Sequence, residues 1–298
     1  MLHSKKIAAQ QVLNYCLVND VKSVVISPGS RNAPLIIEFN AQDTIKKYSI
    51  VDERSAAFFA LGIAQETCKP VALLCSSGTA LLNYYPAIVE AYYSKIPLIV
   101  ISADRPKHLI DIGDGQTIRQ VDVFRNHVQF SANLSEKNSD ENVTLLKRVF
   151  KKLKQFKTPI HINVPFSEPL YETTERLLHQ VDNLAELYKS DSLLTETPID
   201  IDELQEYAEV WNKATKKMII LGVHPPDKML ATQLEHIAKD ASVIVLTETT
   251  SNVHNTDFIN SIDQVVFPFS NEAFKDYQPD ILLTFGGMVV SKKIKELL

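Results

Sequence analysis

Glycine is sparse in this sequence, 8 in 298 residues, and no Gly-x-Gly-x-x-Gly follows the first strand pattern, which disfavours a dinucleotide seated on a glycine-rich turn. No Gly-x-Ser-x-Gly is present, so a hydrolase elbow has no nucleophile. Cysteine is rarer still: Cys16, Cys68 and Cys75 sit in apolar patterns without pair spacing and read as reduced core residues, the usage of a cytoplasmic protein. The histidines are scattered, with no His-Glu-x-x-His and no Cys/His cluster, which leaves zinc chemistry without ligands. Apolar runs stop short of the ~18 residues that a membrane span needs. Positive charge is also in deficit, 31 Lys+Arg against 36 Asp+Glu for a net −5, which argues against a nucleic-acid partner. An anion must then be gathered by a few placed guanidinium groups rather than by the overall field.

What is present is a rhythm of short apolar runs and amphipathic stretches. Strands are expected at Val21–Ile26, Tyr48–Val51, Val71–Cys75, Leu98–Ser102 and Pro159–Val164, with helices between them. Ser4 is positioned to cap the first helix. Residues 53–67 read as a helix apolar nearly all round and therefore buried, and residues 80–93 as one further helix. The alternation predicts an α/β fold with a doubly wound parallel sheet. From Phe166 to about Pro198 the composition turns polar, and a second α/β cycle begins near Asp202. A last strand, a Gly-Gly turn and two helical turns make a poor completed fold, so the sequence is expected to be a piece of a longer protein.

Four loops follow the apolar runs directly: Ser27–Arg31, Asp52–Arg54, Ser76–Thr79 and Ala103–Pro106. In a parallel sheet all four open on one edge, where α/β folds build their sites. Ser30 can bond a free helical N–H, which makes the first loop either a plain cap or a ligand loop headed by Arg31. Glu53 starts a helix, where the dipole favours a carboxylate, and its apolar helix suggests a pocket of low dielectric. The hydroxyls of Ser76–Thr79 suit a phosphate or a heterocycle equally. Arg105 is barred from helix by Pro106 and either projects from the edge or pairs with Asp104 or Asp52. Arg31 and Arg105 together suit a ligand with one or two carboxylates.

Five motifs occur in order: 27–35, 52–58, 76–87, 103–106 and 116–120. Together they resemble the N-terminal part of the thiamine-diphosphate-dependent 2-succinyl-5-enolpyruvyl-6-hydroxy-3-cyclohexene-1-carboxylate synthase family of menaquinone biosynthesis. The resemblance implies a pyrimidine-binding domain at 1–180, a linker at 181–200 and an incomplete transhydrogenase-like central domain at 201–298. It implies thiamine diphosphate as cofactor, Mg²⁺ with ligands beyond residue 298, and a homodimer or homotetramer. The implied reaction is decarboxylation of 2-oxoglutarate and addition of the resulting carbanion to isochorismate. Glu53 corresponds to the cofactor-activating glutamate. Ser30, Arg31, Arg105, Gln116 and Lys292 correspond to substrate-contacting positions, and Gly78, Thr79 and Asn83 line the pyrimidine pocket. Gly113-Asp114-Gly115 copies the family's Mg²⁺ motif in miniature but stands in a loop after Arg105 rather than behind a buried strand, and is rejected as a metal site. Two other readings stay open: another thiamine-diphosphate-dependent 2-oxo acid decarboxylase or synthase, and a non-catalytic module that binds a carboxylated metabolite.

Overall fold

A computed structural model describes residues 2–137, 139–178 and 201–298, apart from the side chains of Glu203, Asn271 and Leu297. Two compact units divide the chain, Met1–Leu194 and Thr195–Leu298. The expected linker, 181–200, lies outside the described residues.

The first unit opens with β1 (His3–Ser4), α1 (Ile7–Val18), β2 (Ser23–Ile26), α2 (Ala33–Asn40), β3 (Lys46–Ser49) and α3 (Glu53–Thr67). It continues through β4 (Val71–Cys75), α4 (Ala80–Asn83), α5 (Tyr85–Tyr93), β5 (Leu98–Asp104), β6 (Ser131–Asn133), α6 (Ser139–Phe156), β7 (Ile160–Pro165) and β8 (Thr173–Thr174). Six strands form one parallel sheet in the order β3-β2-β4-β5-β7-β6. Because side chains alternate along a strand, Val24, Leu74, Ile99, Ile101 and Ile162 pack under α1, α2 and α6. Val25, Leu73, Val100 and Cys75 pack on the other face against α3, α4 and α5. Burial on both faces explains why β4 and β5 read as unbroken apolar runs.

Several local expectations are corrected. Ser4 lies in β1, where its hydroxyl accepts from Lys6 N at 3.1 Å instead of capping α1. The helix expected over 80–93 breaks at Tyr84, because Pro86 has no N–H to give and its ring crowds the turn before it. Helix α3 buries only its alanine face, Ala56, Ala57, Ala60 and Ala64 with Leu61, while Phe58 and Phe59 are exposed. Cys68 is exposed and ends α3 in the left-handed conformation at φ 52°, unlike the buried Cys16 and Cys75. The strand expected at 48–51 is β3, two residues earlier.

In the second unit come α7 (Ile201–Lys213), β9 (Lys217–Leu221), α8 (Lys228–Ile237), β10 (Val243–Thr247), α9 (Ile262–Val266), α10 (Asn271–Tyr277), β11 (Ile281–Phe285) and α11 (Lys292–Leu297). Its three strands are parallel in the order β10-β9-β11. At the end of β9 the backbone of Gly222 meets that of Gly287 so closely that a Cβ would lie 2.3 Å from its carbonyl oxygen. Ser291 caps α11 by accepting from Ile294 N at 3.2 Å.

Candidate functional site at the carboxyl edge of the first sheet

Parallel register places the carboxyl ends of β3, β2, β4, β5 and β7 on one edge, and every loop singled out in the first unit's sequence leaves from it. The loop after β2 is pinned by Asn32. Its Oδ1 accepts from Gly29 N at 2.9 Å and its Nδ2 donates to Ser27 O at 3.0 Å. Asn32 therefore does the holding expected of Ser30, which is exposed. Gly29 has no room for a side chain: a Cβ would lie 2.6 Å from Ser76 Cβ, so the loops after β2 and β4 touch.

Arg31 is buried, with Nη1 donating to Phe166 O at 2.7 Å and Nη2 paired with Glu168 Oε1 at 3.0 Å. Among the described residues its Nε has no partner. Burial pushes the Arg31 pKa down, the positive charge of Arg105 adds to this, and Glu168 and Asp114 oppose it. Arg105 is half-buried and pairs with neither Asp104 nor Asp52. Its Nε donates to Asp114 Oδ2 at 2.8 Å and its Nη2 to Gly115 O at 2.9 Å.

Glu53 is the first residue of α3, whose N-cap, Asp52, accepts from Ser55 N at 2.7 Å. It is half-buried at a helix start whose outer face carries exposed Phe58 and Phe59, so the enclosed pocket expected around it is only partly formed. Its charge is felt by Cys75 and by Tyr84, whose hydroxyl lies 3.1 Å from Ser27 Oγ; burial first, then Glu53 among other groups, raises the pKa of each. In strand order the edge carries Glu53 after β3, Arg31 after β2 and Arg105 after β5.

Between the loops of Arg31 and Arg105 stands the turn after β4. Gly78 has φ +79°, and a Cβ there would lie 2.7 Å from Gln116 O, so both conformation and space demand glycine. Ser77 Oγ donates to Gln116 O at 3.1 Å. Gln116, itself at φ 57°, is exposed, as are Thr79 and Asn83, and Asn83 Nδ2 donates to Thr79 O at 3.4 Å. The structure therefore brings Gly78, Thr79, Asn83 and Gln116 together. Lys292 belongs to the second unit, where it is exposed at the first residue of α11.

Residues that the sequence reading passed over form a buried polar core behind this edge. Asp104, Ser102, Gln120, His161 and Asn163 are each at most 3% exposed. Burial raises the Asp104 pKa, while hydrogen bonds from Asn163 and Arg105 N oppose it. Burial alone lowers His161 to about 3. Asp104 and Gln120 stood inside quoted motifs, so the signal was present; what was missing was the pairing with β7. Among the described residues no group of three or more His, Cys, Asp or Glu is placed to hold a metal ion, and no helix is long and apolar enough to cross a membrane.

Comparison with known proteins agrees with this architecture. Residues 7–129 match the family described as thiamine pyrophosphate enzyme, N-terminal TPP binding domain. The whole chain is 50% identical to a 2-succinyl-5-enolpyruvyl-6-hydroxy-3-cyclohexene-1-carboxylate synthase of Flavobacterium johnsoniae, covering 53% of it, and 51% identical to that of Christiangramia forsetii, covering 55%. Over 96% of the chain it is 40% identical to the Desulfotalea psychrophila synthase, covering 53% of that protein. The chain spans about half the length of the curated relatives it matches. Residues 7–129 are similar to the N-terminal TPP binding domain of thiamine pyrophosphate enzymes, and along its full length the chain is similar to 2-succinyl-5-enolpyruvyl-6-hydroxy-3-cyclohexene-1-carboxylate synthases.

Proposed function

We propose that this chain supplies the pyrimidine-facing part of a thiamine-diphosphate-dependent synthase that decarboxylates 2-oxoglutarate and joins the remaining fragment to isochorismate. The supporting observation is the shared edge: one carboxylate at a helix start, a glycine-only turn with exposed Thr79 and Asn83, and two arginines, Arg31 feeling the positive charge of Arg105. Residues 1–180 act as the pyrimidine-binding domain and 201–298 as part of a central domain.

The residues suit the cofactor. Gly78 turns the chain where a side chain cannot fit, and Thr79 and Asn83 present exposed polar groups beside it. When bound, thiamine diphosphate supplies the carbon centre that stabilises the electron pair released on decarboxylation. Glu53 would hold a proton at N1′ of the pyrimidine, and its place at the start of α3 favours the carboxylate that does so. Arg31 and Arg105 would bind the carboxylates of isochorismate by exchanging their contacts with Glu168 and Asp114 for the ligand. Ser30, Gln116 and Lys292 are assigned to the substrates, with Mg²⁺ held by residues outside this sequence. The working form is a cytoplasmic homodimer or homotetramer.

The test is turnover with 2-oxoglutarate as donor and isochorismate or a monocarboxylate aldehyde as acceptor, in the longer protein that carries this sequence and in its Arg31→Ala and Arg105→Ala variants. Loss of isochorismate turnover with aldehyde turnover retained supports the assignment. Equal losses for both acceptors contradict it.

A further inference from the structure

Gln120 spans two parts of the edge that the proposed reaction needs at a fixed separation. It is fully buried. Its Oε1 accepts from Gly78 N at 2.7 Å, while its Nε2 donates to Ala103 O at 3.0 Å and to Asn163 Oδ1 at 2.9 Å. Asn163 Oδ1 also accepts from Ser102 Oγ at 2.8 Å, and Asn163 Nδ2 donates to Asp104 Oδ2 at 2.7 Å. Asp104 Oδ1 takes the backbone N–H of Arg105 at 2.7 Å. The donors and acceptors run without a break from the Gly78 turn to the backbone of Arg105. They also fix the amide's orientation, because a reversed amide would set N–H against N–H at Gly78 and oxygen against oxygen at Asn163.

We infer that Gln120 is a positioning residue, a buried strut that sets the distance between the Gly78 turn and the Arg105 strand end, and so between the cofactor's pyrimidine and the carboxylate-binding arginine. The inference rests on the proposed synthase reading for its functional half. Its structural half stands on the hydrogen bonds alone. Gln120 touches neither ligand in this scheme; it acts through Gly78 and through Asn163 and Asp104.

The discriminating variant is Gln120→Glu. Protonated, a glutamic acid keeps one acceptor for Gly78 N and one donor for Asn163 Oδ1. Ionised, it faces two acceptors, Ala103 O and Asn163 Oδ1, with an oxygen. The titratable groups linked to this position are Asp104 through Asn163, His161 through Ser102, and Arg105 through Asp104. Gln120→Met removes both functions at every pH.

Amide hydrogen exchange of the full chain reads the strut directly. In Gln120→Met, peptides covering 74–84 and 100–110 should exchange about tenfold faster or more than in the native sequence, with 7–18 unchanged. Gln120→Glu should match the native chain near about pH 5.5 and match Gln120→Met near about pH 8. If Gln120→Met does not fold, the pH contrast in Gln120→Glu decides alone; no contrast overturns the inference. In turnover by the longer protein that carries this sequence, Gln120→Glu should raise the KM for isochorismate and the half-saturating cofactor concentration together at the higher pH, and restore both at the lower. A longer protein carrying this sequence that turns over neither substrate defeats the synthase reading and leaves exchange to judge the strut. Native turnover with unaltered exchange in both variants overturns the strut alone.

Discussion

Arg31 Nη2 lies 3.0 Å from Glu168 Oε1, with the arginine side chain 8% exposed and the glutamate 66%. The pair is lopsided: the cation has given up its water, and the anion has not. The segment that carries the glutamate is firmly held, with Phe166 N donating to Asp104 O at 3.1 Å and Lys6 Nζ to Ser167 O at 2.6 Å.

Replacing Glu168 by Gln should therefore cost more than an ordinary surface ion pair, because the buried guanidinium loses its counter-charge. After allowance for the solvent around Glu168, the loss is about 1–2 kcal/mol, read as a drop of a few degrees in thermal midpoint. A midpoint equal to that of the native chain would show that Phe166 O alone satisfies Arg31.

Two glycines on the same rim should respond oppositely to alanine. At Gly29 the new methyl would press on Ser76 Cβ at 2.6 Å, while Gly115 has nothing within 4 Å and no positive φ. Gly29→Ala should lose about 1–3 kcal/mol in denaturant unfolding, and Gly115→Ala should stay within about 0.5 kcal/mol of the native chain.

His161 should make the first unit acid-sensitive. Its pKa falls from 6.5 to about 3 on burial, so between these values the unfolded chain binds a proton that the folded chain refuses. Its contribution is fully present above pH 6.5 and declines as the pH falls toward about 3, by up to about 1.4 kcal/mol per pH unit. Asp104 and Glu38, whose pKa values are raised, act in the opposite direction over the carboxylate range. The comparison that isolates His161 is the stability gap between the native chain and His161→Asn, which should narrow as the pH drops from about 6.5 to 4.5. A gap that stays constant would mean His161 is protonated in the fold.

Thiol labelling checks the packing. Cys68 is exposed, whereas Cys16 and Cys75 are buried with their thiol pKa values pushed up by burial. Under native conditions an aromatic disulfide reagent should label Cys68 promptly and reach Cys16 and Cys75 only on unfolding. Rapid native labelling of Cys75 would contradict the packing of β4 against α5.

The strands of the first sheet were legible because burial on both faces leaves apolar runs too dense to miss, as in Val71–Cys75 and Leu98–Ile101. Strand β6 was not, since Ser131, Ala132 and Asn133 have no strand-forming side chains and pair only because β7 offers them an edge. The loops at the carboxyl edge were legible from their place after each run. The partners of Arg31 and Arg105 were not. Phe166 and Glu168 follow β7, with Phe166 135 positions from Arg31 in the sequence, and Asp114 reaches Arg105 only through the fold of its own loop. The polar core of Gln120, Asn163 and Asp104 was hidden for the same reason: hydrogen bonding across strands β5 and β7 joins residues 43 and 59 positions apart.

The account turns on Glu53 as the group that holds the cofactor's pyrimidine proton. Turnover of 2-oxoglutarate and isochorismate by Glu53→Gln, placed in the longer synthase proposed to carry this sequence and measured beside the unaltered protein with thiamine diphosphate and Mg²⁺ supplied, tests it most directly. The rate should fall by about 10²-fold or more with the KM for isochorismate nearly unchanged. A variant that turns over at the native rate would contradict the role assigned to Glu53.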